Sequence, residues 1–186
     1  MDLKYLFIII TILLVSCKGE PFQVKKKYYK EVKKLTELKD RKNYLEKVYG
    51  NYIELRKEET DSWNTYGRRS VEYKNLITKN HKEDIKDLQR VIAYLETYGH
   101  PNIMKLGRKA AFIPCVQLIH SRNEVLLIKN YKYLYDAYKF NDITEDLFFK
   151  YLQQISFSMG EDYFLNPKIS IVENIDYLIE YHDLNQ

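Results

Sequence analysis

The chain has 186 residues, with 30 basic against 26 acidic side chains, a net charge of +4 and a hydrophobic fraction of 45%. A domain of this size buries roughly 70% of its unfolded surface and needs no disulfide or metal for stability, and two cysteines are too few for a disulfide scaffold. Charges of both signs are interleaved along the whole chain, which describes a surface laced with ion pairs and excludes the basic stripe of a nucleic-acid reader.

In chain order the first feature is Lys4, then an apolar run over 5–15 broken only by Thr11, closing on Leu14-Val15-Ser16-Cys17. The tetrapeptide resembles a lipobox, where the bacterial lipoprotein signal peptidase cuts between a small residue and a cysteine whose thiol carries diacylglycerol. A helix that crosses a bilayer needs about 20 apolar residues. Lys18-Gly19-Glu20-Pro21 stops this run short of that, as in a signal segment. The resemblance implies a cleaved signal peptide at 1–16 and attachment to membrane lipid through Cys17. Lys18 stands where the usual inner-membrane retention signal has Asp, so the expected location is the outer membrane, on its periplasmic or outer-surface side. Lys25, Lys26, Lys27 and Lys30 make 17–30 a basic linker, and 31–186 reads as a single helical domain. With Cys17 lipidated, Cys115 has no intramolecular partner and is expected to be buried and inert.

From there the apolar residues recur at spacings of three and four, the signature of amphipathic helices. Val24, Tyr28, Val32 and Leu35 form one stripe. Leu45, Val48, Tyr52 and Leu55 form another after the polar break Asp40-Arg41-Lys42-Asn43, as one long helix or two. The segment 60–67, with Trp63, reads as turn-rich. Ile85, Leu88, Ile92 and Leu95 lead to a helix stop at Tyr98-Gly99-His100-Pro101. A helix over about 103–121, through Leu106, Ala110, Ile113 and Gln117, contains Pro114 and should kink there. Val125, Ile128, Tyr131, Leu134 and Tyr138 mark the next helix. Asp142 or Thr144 caps the one carrying Phe148, Tyr151, Leu152 and Ile155. Ile171, Ile175, Leu178 and Ile179 mark the last. The expected fold is all-α, an irregular bundle of six or seven helices.

Sharp chemical signatures are missing from this pattern. None of His81, His100, His120 and His182 lies one helical turn from another, so no metal site is implied. No phosphate loop or nucleophile elbow is present, and no cofactor is called for. His120, at the far end of the kinked helix, is the candidate catalytic residue; His100 and Gln117 are candidate binding residues. The 18 tyrosines suit protein or glycan binding, and equally the codon usage of an AT-rich genome.

The segment 80–167 resembles a bacterial family called domain of unknown function 6624. Tyr98-Gly99-His100-Pro101 stands at the family's Tyr-Gly-Trp-Pro turn. Gly107, Ala110 and Ala111 follow at its spacing, His120 falls on its histidine, Ile143-Thr144 on a helix start and Gly160 on a glycine. The family's Asp-Arg pair reads Gln153-Gln154 here, and its closing Tyr-Gly-Thr-Gln reads Leu165-Asn166-Pro167, so His120 alone remains of the polar set. The resemblance implies a shared scaffold more than a shared reaction. Two functions follow as expectations. One is a membrane-anchored envelope lipoprotein that binds or assembles an envelope protein or glycan without catalysis. The other is an envelope hydrolase with His120 as general base, oriented by Glu124 or Asp162.

Overall fold

The computed structural model describes residues 22–161 and 166–184; Cys17 with the whole signal segment, and Asp162, lie outside them. The regular structure of the described residues is all helix, with no strand. The helices are α1 (Lys26–Val32), α2 (Leu38–Tyr66), α3 (Val71–Tyr98), α4 (Ile103–Leu106), α5 (Arg108–Ile119), α6 (Glu124–Lys139), α7 (Glu145–Ser158) and α8 (Ile171–Tyr181). The all-α irregular bundle expected from the sequence is therefore what forms, with eight helices described in place of six or seven.

Helices α2 and α3 form a long antiparallel hairpin, each about 42 Å at 1.5 Å per residue. Its register is set by polar pairs that descend one strand of the hairpin as they climb the other: Asn51 with Asp87, Arg56 with Asp84, Glu58 with Lys79. The turn expected at 60–67 is instead the last two turns of α2. Thr60 and Thr65 donate their hydroxyls to the carbonyls of Arg56 and Asp61, one turn back, so these residues stay helical. The helix stops only at Gly67, where φ is +81°. The polar break at Asp40-Arg41-Lys42-Asn43 lies inside α2, and the real interruption is 33–37. Residues 26–30, read as linker, belong to α1, whose Tyr28 and Val32 are buried against α3.

Helix α5 is central, touching α2, α3, α4 and α7. Its sequence explains this position: RKAAFIPCVQLI is apolar around nearly its whole circumference, and a helix without a polar face is stable only when enclosed. Ala110, Ile113, Cys115 and Leu118 are fully buried. Each large apolar side chain so enclosed contributes about 1.5–3 kcal/mol. The helix expected over 103–121 is divided at Gly107 (φ +85°) into α4 and α5, while Pro114 sits within a continuous α5. Cys115 is buried as expected; burial pushes its thiol pKa well up, and Sγ lies 3.5 Å from the Leu147 carbonyl.

Helices α6, α7 and α8 complete the bundle. Thr144 caps α7, accepting from Leu147 N at 3.3 Å. Asp142, the alternative cap, works elsewhere: its Oδ1 accepts from Ile103 N at 2.7 Å and Asn102 Nδ2 at 3.0 Å, fixing the start of α4. Ser170 and Glu173 form a capping box on α8. Many tyrosines are structural. Tyr131, Tyr135, Tyr138 and Tyr151 surround Phe148, with Tyr138 stacked on it at 4.8 Å.

Candidate functional site

The α2–α3 hairpin, the C-terminal end of α5 and the loop into α6 enclose an open cavity of about 670 Å³. On α3 the spacing of Ile77, His81, Asp84, Ile85 and Leu88 places all five on one face, and that face lines the cavity. Arg56 and Glu59 come from α2, Gln117 and His120 from α5, and Phe22 from the segment preceding α1. Two residues singled out in the sequence, His120 and Gln117, are thus brought to one cavity.

His120 is the C-cap of α5, so the helix end fixes its backbone. The ring is exposed within the cavity, and its Nε2 lies 3.1 Å from the Tyr52 hydroxyl. Surrounding protein displaces water from the imidazole, and Arg56 repels a proton on it; both lower the pKa, against partial opposition from Asp84. Burial raises the Tyr52 pKa in turn. The pair is therefore a neutral imidazole and a neutral phenol at physiological pH. If Nε2–H donates to the phenol oxygen, Nδ1 keeps the free lone pair and is the only nitrogen able to accept a proton.

Arg56 forms the polar centre of the cavity. Its guanidinium meets Asp84 at 2.5 Å and Glu59 at 3.2 Å, and it lies over the Tyr52 ring at 5.4 Å. Glu59 also accepts from Asn80 Nδ2 at 3.1 Å. Arg56 Nε and Gln117 Nε2 are buried without a hydrogen-bond partner, a costly state for polar donors. The lining also includes Phe22, Ile77, Ile85 and Leu88, so apolar side chains share the cavity with Arg56, His81 and His120.

The remaining candidates go elsewhere. His100 is enclosed at the α3–α4 turn, lines neither this cavity nor the smaller one beside it, and has no well-formed ring hydrogen bond; the Pro101 backbone is its nearest support. Burial lowers its pKa to about 4, with Asp142 opposing. Glu124 stands in the first turn of α6 and is not among the residues lining the cavity; the His120 ring's Nε2 is paired with Tyr52. Asp162 lies outside the described residues. His182 Nε2 is 2.7 Å from Ser156 Oγ, but that serine is fully buried, so the pair ties α8 to α7 and meets no substrate. Among the described residues, no three His, Cys, Asp or Glu side chains converge as a metal ion requires.

Sequence reasoning missed Arg56, His81 and the role of Tyr52. For His81 a signal existed: it lies four residues before Ile85 and extends that stripe backwards. Tyr52 and His120 are 68 positions apart, and no local spacing connects them.

Compared with known proteins, the chain matches no family model, no curated protein and no solved structure.

Proposed function

We propose that this chain is a lipid-anchored protein of the cell envelope, held through Cys17 at the outer membrane, which binds a small amphipathic ligand in the α2–α3–α5 cavity without transforming it. The cavity carries this reading: about 670 Å³ is within the range of small-molecule sites, roughly 300–1,000 Å³, and its lining mixes apolar side chains with the polar groups of Arg56, His81 and His120. A ligand with an apolar body and a polar group suits that lining. The lipobox resemblance supports the anchor, and no described helix is long and apolar enough to cross a membrane by itself. The tyrosines give less support to a glycan or protein partner than their number suggests, because so many of them pack around Phe148; Tyr177 and Tyr181 form an exposed stacked pair.

The test is native mass spectrometry of the full-length protein extracted from membranes. A retained small molecule that is lost in Ile85→Trp, which fills the cavity from a partly exposed position, is the expected result. No retained molecule, or equal retention in both proteins, overturns the binding reading.

The hydrolase reading has one observation in its favour, the base form of the His120 imidazole inside a cavity. It needs an orienting acid, and the ring's partner among the described residues is a phenol. Hydrolysis of model esters that disappears in His120→Ala would establish it over simple binding.

A further inference from the structure

The apolar stripe read along α6 does not coincide with its buried face. Leu126, Leu127, Tyr131 and Leu134 are enclosed, whereas Val125 is 73% exposed and Ile128 41% exposed. These two residues are one helical turn apart and share a face of α6. Val125 lines, together with Phe22 and Lys129, a second cavity of about 310 Å³ beside the larger one. Phe22 belongs to both cavities and marks where the chain reaches the domain from its N-terminus.

We infer that this face of α6, with the adjoining segment at Phe22, rests on the surface of the membrane that holds the anchor. The proposal depends on lipidation of Cys17. An extended chain covers at most about 3.6 Å per residue, so the five steps from Cys17 to Phe22 span no more than about 18 Å. Whatever path the intervening residues take, an anchor at Cys17 keeps Phe22 and the neighbouring end of α6 near the bilayer. Exposed apolar side chains held there have the interface as their available apolar phase.

The charge around the face suits anionic headgroups. Lys25, Lys26 and Arg122 are exposed beside it. Among the described residues nearby, the carboxylate of Glu96 is engaged by Lys129 at 2.5 Å and Glu124 stands in the first turn of α6 as an opposing charge; Glu20 adds another in the sequence just before Phe22. Both cavities border the docking face, so a ligand for the larger one is presented from the membrane side, as an amphiphile of that bilayer.

The face is tested with the full-length lipidated protein in vesicles of phosphatidylethanolamine and phosphatidylglycerol carrying brominated acyl chains, which quench tryptophan on contact. Trp63, the one native tryptophan, is replaced by Phe, and single reporters are placed as Val125→Trp, Ile128→Trp and, on α4, Met104→Trp, which is 89% exposed. All three positions tolerate the larger ring, and unaltered thermal melts confirm folding. The expected result is that the reporters at 125 and 128 shift to the blue and lose most of their emission while the one at 104 stays as in water. High salt should weaken the effect. Equal quenching at all three positions, in protein whose Cys17 carries lipid by mass, overturns the docking face and leaves the anchor standing. Absence of lipid on Cys17 overturns the anchor, and with it the orientation.

Discussion

Two buried polar side chains at the α3–α4 junction give residue-level tests. Asp142 is the acceptor for the first backbone N–H of α4 and for Asn102. Replacing it with Ala leaves a buried donor unsatisfied, which costs about 1–3 kcal/mol, readable as a lower denaturant midpoint. His100 is held at a pKa of about 4 against an ordinary 6.5. Between those values the unfolded chain binds a proton that the folded chain refuses, so stability falls as pH drops from about 6.5 towards 4. In His100→Phe that part of the acid sensitivity should vanish; melting temperatures that decline in parallel for both proteins would show that His100 is not its source. At this scale His120 and Gln117 were legible from the sequence. Their setting was not, because Tyr52 and Arg56 reach them only through the packing of α2 against α5, a contact with no local pattern.

At the scale of elements, the division of α4 from α5 rests on Gly107. A Cβ there would meet only the Lys42 side chain, at an ordinary 3.9 Å, so the penalty of Gly107→Ala comes from the backbone angle of +85°. With ψ at 165° this is a region essentially confined to glycine, and it costs an L-residue about 1–3 kcal/mol; the expected loss is measured by chemical denaturation. A neutral substitution would mean that α4 and α5 can join as one helix. The stripes of α7 and α8, and that of α3 from Leu88 onward, were readable because their buried faces keep the 3.6-residue period, and Gly99 ended α3 where the sequence placed the stop. The far end of α2 was misread because threonine, asparagine and aspartate signal turns unless, as at Thr60 and Thr65, their hydroxyls return to the helix. On α6 the period was right and the assigned face partly wrong: Val125 and Ile128 continue the apolar pattern past the edge of the core.

Across the whole molecule, the largely apolar α5 organises the bundle, and the cavity forms where α5 ends before the hairpin does. Of the exposed apolar residues, Ile85 lines this opening and Val125 the smaller cavity beside it, while others such as Met104 and Phe140 lie outside both. A lipid anchor would make the side that carries Phe22 and Val125 the membrane side. The same reading implies that the ligand is an amphiphile and that the tyrosines are chiefly packing residues. All of it turns on the chemistry at Cys17. The decisive measurement is the mass of the N-terminal peptide of the protein recovered from membranes. The account predicts a chain that begins at Cys17 with diacylglycerol on its sulfur. A chain that retains Met1, or one that begins elsewhere with no lipid, contradicts it.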